Sequence, residues 1–244
     1  MQIYGLIPSR LKSTRLPEKA LLDIHGYPMV VHVAKRSQES KKLDRVVVCT
    51  DSHQIADVCH RYNIQTCMTS EEHVNGTDRI AEAFQILGGK DDDIIIDIQG
   101  DEPLVEAECI DGVIEKTIVS EMDIVIPYQN ITVDSLTKPK IVESGNKIIY
   151  MSRAQIPYPF RLENEMLKSQ LCIIGFKAKA LMTYYNATNK PSYLETIEGI
   201  ELIRALELGL HLETFYQDGE SLSVDVHDDY LKILELSKGN IYDY

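Results

Sequence analysis

The chain has 244 residues, 44% of them hydrophobic, which is enough for a large α/β domain with a substantial core and too apolar for a disordered chain. Its 38 acidic and 25 basic side chains leave a net charge of −13, a field that repels polyanions and excludes nucleic acid as a partner. No apolar run reaches the roughly 18 to 20 residues of a membrane span, so no membrane partner is expected and the protein is expected to be soluble and cytoplasmic.

The opening segment IYGLI (3–7) reads as a buried strand, and it runs into the loop SRLKSTRLPEK. There Arg10, Lys12, Arg15 and Lys19 gather in an otherwise acidic chain. A helix is predicted over 28–37, followed by strand RVVVCT (45–50), helix HQIADVCHRY (53–62), strand IQTCM (64–68), helix TDRIAEAFQIL (77–87) and strand IIIDIQ (94–99). LGGKDDD, just before that last strand, reads as a helix stop and turn. This βαβαβαβ rhythm specifies a parallel sheet with helices on both faces, and ligands of such sheets bind beyond the carboxyl ends of the strands. The cationic loop leaves the first strand at that end.

After Pro103 the rhythm changes. CIDGVIEKTIV (109–119) is predicted as a helix, DIVIPY (123–128) as a strand, and KIVESGNKIIYMSR (140–153) as strands paired across a Gly-Asn turn. The segment 156–170, with two prolines and little periodicity, reads as a loop or subunit-contact arm. SYLETIEGIELIRALELG (192–209) is predicted as one helix ending at Gly209, a short apolar strand is predicted before Asp225 in LSVDV (222–226), and the chain closes with a helix after Asp225. Five cysteines without a CxxC pair are expected to be reduced and packed, and seven isolated histidines show no zinc spacing.

A triphosphate carries about four negative charges, and a loop presenting several cations and backbone N–H groups can neutralise it; the alternative is a solvated surface loop. Neither the GxGxxG nor the GxxxxGK[ST] pattern is present. At IQGDEP (98–103) an apolar strand ends in Asp101, a carboxylate placed either to hold Mg²⁺ or to close an Asx turn. Asp225 stands before the last helix as a second metal carboxylate or an N-cap. NGTDR (75–79) opens a helix at which Asn75 or Thr77 either caps or meets a ligand. No Ser-His-Asp or Cys-His arrangement can be assembled, which points to direct transfer of a phosphoryl or nucleotidyl group between bound substrates.

Read in order, IPSRLKSTRLPEKAL, NGTDR, IQGDEP and YMSRAQIPY resemble the 3-deoxy-manno-octulosonate (Kdo) cytidylyltransferases over nearly the whole chain. The resemblance implies a Rossmann-like nucleotidyltransferase fold in one domain, with a mainly parallel central sheet flanked by helices and a smaller mixed or antiparallel dimerisation region. Residues 1–125 would be mainly the nucleotide-binding half, and 126–244 the sugar-binding and dimerisation portion of a homodimer. The implied reaction joins CTP to the anomeric hydroxyl of Kdo, with Mg²⁺ as cofactor and a CMP-sugar for lipopolysaccharide as product. Arg10, Arg15, Lys19 and Asp101 resemble the catalytic set. Pro8, Ser9, Ser13, Thr14, Asn75, Gly76, Thr77 and Gln99 join these cations on the nucleotide. Gln99, Arg153, Gln170, Glu198 and Glu201 resemble the sugar-binding residues, and Asp101 and Asp225 the metal ligands.

The sugar side departs from the family pattern. QLCIIGF replaces the usual HLGIYGY, so Gln170 stands for a histidine and Ile174 for a tyrosine, and Glu201-Leu202 replaces a Glu-Gln pair. The alternatives are therefore the same chemistry on another acid sugar, such as an 8-amino analogue of Kdo; a hexose-1-phosphate nucleotidyltransferase, which usually opens with a GxGxR loop absent here; and a non-catalytic nucleotide-binding protein, from which Asp101 or Asp225 should be missing.

Overall fold

The computed structural model describes residues 1–13, 16–132, 135–158, 160–161, 166–188, 190–219 and 222–238. β1 (Ile3–Ser9) is buried along nearly its whole length, as a central parallel strand must be. A 3-10 turn at Lys19–Leu21 and a small hairpin, β2 (Asp23–Ile24) and β3 (Tyr27–Pro28), lead into α1 (Met29–Gln38). β4 (Arg45–Thr50), α2 (His53–Arg61), β5 (Gln65–Met68), α3 (Gly76–Ile86) and β6 (Ile94–Ile98) then follow the predicted alternation. α3 stops where LGGKDDD predicts, with Gly88 at φ +74° and the Gly89 N–H returning to the Phe84 carbonyl.

The second portion supplies α4 (Ala107–Val119), β7 (Ile124–Ile131) and the hairpin of β8 (Lys140–Ser144) and β9 (Lys147–Ser152). Gly145 and Asn146 close that hairpin at φ +58° and +67°, the twist a two-residue turn requires. β10 (Leu167–Gln170), β11 (Ile173–Lys177), α5 (Ala178–Tyr185), α6 (Tyr193–Glu198), α7 (Leu202–Glu207), β12 (Leu212–Tyr216) and α8 (His227–Leu236) complete the chain.

Ten strands form a single sheet in the order β10-β8-β9-β12-β7-β11-β6-β1-β4-β5. β5, β4, β1 and β6 run parallel, and β11 is inserted antiparallel between β6 and β7. At the far end β10 turns back onto β7, with Leu167 opposite Ile131. One face of the sheet packs on α1, α2 and α4 and the other on α3, α5 and α7. The chain goes from β1 towards β4 and returns to β6 on the opposite side, so the switch point lies at the carboxyl ends of β1 and β6. In this type of fold, that is where a ligand crevice forms. A smaller cluster of Ile24, Met29, Val224 and Ile233 fastens α8 beside it.

Three segments differ from the sequence reading. Leu167–Gln170, inside the expected loop, is a strand because it pairs with β7, a partner distant in sequence. The expected helix 192–209 is two helices, since Gly199 takes the left-handed conformation at φ +61° and ends α6 before α7 begins. The stretch expected to be a strand before Asp225, residues 222–224, forms none. The Val224 N–H instead reaches the Asp101 carbonyl oxygen at 2.9 Å.

Candidate active site

The tips of β1 and β6 approach so closely that a Cβ on Gly100 would lie 2.5 Å from the Pro8 carbonyl oxygen. Glycine is required there because another backbone passes through the space of a side chain. Gly100→Ala should force the strand tips apart and cost about 1–3 kcal/mol, read as a lowered thermal midpoint. Above this crossing lies a cavity of about 220 Å³. It is lined by Pro8, Ser9, Arg10, Ser13, Lys19, Asn75, Gly76, Gln99, Asp101 and Asp225, ten of the residues expected in the site. Thr14 and Arg15 lie outside the described residues.

The charges converge on one point. Lys19 Nζ lies 2.7 Å from Asp101 Oδ2 and 3.9 Å from Asp225 Oδ1. Asp225 is not a helix cap: α8 is capped one residue later, and Asp229 accepts the N–H groups of both Asp225 and Val226 at 2.9 Å. The Val224 to Asp101 hydrogen bond ties together the two segments that carry the carboxylates. Two carboxylates within reach of one ammonium form a hard-oxygen donor pair, which fits Mg²⁺ when phosphate and water complete the coordination. Lys12, by contrast, pairs with Glu71 at 3.4 Å in full exposure and belongs to the surface.

The start of α3 forms the opposite wall. Asn75 caps it, its Oδ1 accepting the Asp78 N–H at 2.8 Å while its Nδ2 donates to the Tyr184 hydroxyl and Glu195 Oε1, both at 3.1 Å. The Thr77 N–H is taken by Glu201 Oε2 at 3.2 Å, so Glu201 braces this wall. Burial of the Glu201 carboxyl raises its proton affinity. Asp97, directly behind Gln99, is pushed well above the ordinary carboxylate range by burial and then by the carboxylates of Glu201 and Asp101.

The other residues expected on the sugar lie outside the lining of this cavity. Arg153 donates from Nε to the Glu198 carbonyl, from Nη1 to the carbonyls of Leu136 and Thr137, and from Nη2 to that of Gly199, at 2.9–3.1 Å. The Glu198 carboxylate accepts from the Tyr150 and Ser152 hydroxyls and from the Arg153 N–H. Gln170 ends β10, with its side-chain oxygen buried and without a hydrogen-bond partner among the described residues.

Sequence reasoning missed three contributors. Arg79, in the quoted NGTDR, lines the cavity and is held by Asp51 at 2.8 Å and the Thr69 hydroxyl at 2.7 Å. Arg204 lies fully buried behind α3, bonded to Asp78 and Glu195. Asp97 sits in a strand otherwise made of isoleucine. For Arg204 and Asp97 a signal existed, a single charged residue inside an apolar run.

A cationic loop and paired carboxylates at the switch point of an α/β sheet define a nucleotide-binding protein of the nucleotidyltransferase type. A family model described as cytidylyltransferase matches residues 4–218. The 3-deoxy-manno-octulosonate cytidylyltransferase of a Nitratiruptor species is 35% identical over 93% of this chain and 97% of its own. Its counterpart in Neisseria meningitidis serogroup A is 36% identical over 92% and 93%. The solved structure of CMP:2-keto-3-deoxy-manno-octonic acid synthetase complexed with CTP superposes with a TM-score of 0.90 at 26% identity, covering 99% of this chain and all of that one. The chain belongs to the cytidylyltransferase family and, within it, to the 3-deoxy-manno-octulosonate cytidylyltransferases.

Proposed function

We propose that the protein transfers the cytidylyl group of CTP to the anomeric hydroxyl of Kdo, giving CMP-Kdo and pyrophosphate. The observation that carries this reading is the convergence of Lys19, Asp101 and Asp225 in a cleft that also holds Arg10 and Gln99. The hydroxyl oxygen forms a bond to the α-phosphorus, the bond from that phosphorus to the bridging oxygen breaks, and the hydroxyl proton passes to water. Arg10 and Lys19 offset the charge of the triphosphate, and the Gly76 region of α3 supplies the wall against which it is oriented. Asp101 and Asp225 would hold Mg²⁺, which when bound neutralises the triphosphate and the charge developing on pyrophosphate.

Pyrophosphate release measured with CTP, ATP, GTP and UTP against a panel of 2-keto-3-deoxy sugar acids tests this. CTP with Kdo should be turned over and excess EDTA should abolish the reaction; turnover undiminished in EDTA would remove the metal from the mechanism. If an analogue altered away from the carboxylate outperforms Kdo, that analogue and not Kdo is the acceptor. We further propose a cytoplasmic homodimer feeding lipopolysaccharide synthesis. What supports the dimer is the exposure of Tyr158 and Phe160, at 75% and 83%, in the segment expected to be a contact arm. A solution mass twice the 27.7 kDa of the chain is the expected result, and a monomer at working concentration would refute it.

A further inference from the structure

β6 reads Ile-Ile-Ile-Asp-Ile, and all five residues are buried. Asp97 lies mid-sheet, opposite Leu6 of β1 and Ile174 of β11, with no exposure to water. A carboxyl group there weakens the fold relative to a fifth isoleucine, because its lone pairs leave water for an apolar layer. Only one of its oxygens is satisfied. Oδ2 accepts from Gln99 Nε2 at 3.0 Å, whereas Oδ1 is buried with no hydrogen-bond partner among the described residues. Gln99 is two residues further on and so shares the same face, and it lines the cavity.

We propose that Asp97 is a positioning residue that holds the Gln99 amide nitrogen inward, so that the amide carbonyl oxygen is presented to the cavity as an acceptor for a substrate hydroxyl group. A side-chain amide is nearly symmetric in shape but not in chemistry, and unless a partner fixes it, it can turn over and offer N–H donors instead. An oxygen that accepts from the amide removes that ambiguity whether the carboxyl is ionised or carries its proton on Oδ1. Its raised proton affinity is consistent with this, since the neutral acid is less costly to bury and still accepts through Oδ2. Gly76 passes close to this amide: a Cβ added there would lie 4.0 Å from Gln99 Nε2.

The inference rests on the proposed function only in that the hydroxyl belongs to one of its two substrates, the ribose of CTP or the acceptor sugar. It is tested with Asp97→Leu, Asp97→Asn, Gln99→Ala and the Asp97→Leu/Gln99→Ala pair. In ¹⁵N spectra of the free protein, a Gln99 side-chain proton should exchange slowly in wild type and in Asp97→Asn, and rapidly in Asp97→Leu, while the thermal midpoint of Asp97→Leu is kept or raised. The specificity constant of Asp97→Leu should fall about tenfold or more. The double variant should be no worse than Gln99→Ala alone, and Asp97→Asn should remain near wild type because its Oδ1 accepts in the same way. A loss confined to KM for CTP assigns the hydroxyl to ribose; one confined to KM for the sugar acid assigns it to the acceptor. Wild-type kinetics in Asp97→Leu, losses that multiply with Gln99→Ala, or a fast-exchanging Gln99 amide in wild type would overturn the proposal. A wild-type protein without turnover would refute the proposed function and leave the amide exchange to decide whether Asp97 holds Gln99.

Discussion

Replacing Asp101 with asparagine should lower turnover by a factor on the order of 10² or more while the protein stays folded, because the amide keeps the shape and removes the charge. Asp101 is about one quarter exposed and its carboxylate meets Lys19 Nζ at 2.7 Å. A partly solvated pair of this kind contributes at most about 1 kcal/mol to stability, so a small change in thermal midpoint is expected beside a large kinetic one. If Asp101 helps bind a metal with the nucleotide, the deficit should deepen at low Mg²⁺ and be partly relieved at high Mg²⁺. Activity measured across a Mg²⁺ titration separates this from a general loss of structure. Full activity in Asp101→Asn would show that the carboxylate serves only to neutralise Lys19.

The nucleotide side of the cleft was legible because its signals are local. The strands IYGLI and IIIDIQ announce themselves by apolar runs, the loop between strand and helix by clustered cations, and the strand end by IQGDEP. Chain order then placed the loop and IQGDEP at the same edge of a parallel sheet, and the cavity lies there. The other portion was harder to read because its structure depends on partners far away in sequence. β10 is a strand through its pairing with β7, whose residues Tyr128–Ile131 lie about forty positions earlier. Gly199 could be read as an interior helix residue until its left-handed conformation ends α6.

Residue types were read more reliably than their partners. Arg153 reads as a cation for a carboxylate, yet its planar fork meets the main-chain carbonyls of Glu198 and Gly199 at the end of α6 and those of Leu136 and Thr137 before β8; the helix end is a favourable place for a cation because its last carbonyls lack helical donors. Ile174 is 1% exposed and packs in the core facing α3, α5 and α7, so its side chain contributes apolar volume. Glu201 was expected on the sugar and is found on the Thr77 N–H, where it joins the second portion of the chain to the nucleotide wall.

Arg204→Met should be strongly destabilising although it lies outside the lining of the cavity. The guanidinium is 1% exposed, donates to Glu195 from Nε and Nη2 at 2.7 Å each, and reaches both oxygens of Asp78 from Nη1 at 2.9 and 3.1 Å. It lies over the Tyr184 ring at 4.2 Å. Burial works against its charge, but the Glu195 and Asp78 carboxylates outweigh that and hold it protonated. Methionine keeps much of the volume but takes the guanidinium from two buried carboxylates, leaving Glu195 with the Asn75 amide and the Ser192 N–H and leaving Asp78 with Lys190 Nζ at 3.7 Å, a loss of about 3–5 kcal/mol. At roughly 2–4 °C per kcal/mol for a chain of this size, the thermal midpoint should drop by roughly 6–20 °C. Lysine should not restore it, because a single ammonium cannot span two carboxylates as the planar fork does. The change should also reach the cleft, since Asp78 and Glu195 are both bonded to Asn75, the cap of the nucleotide wall. CTP binding should therefore weaken even at temperatures where the variant is folded. A variant that melts within a degree or two of wild type, or binds CTP unchanged, would show that α3 holds its position without this buried network.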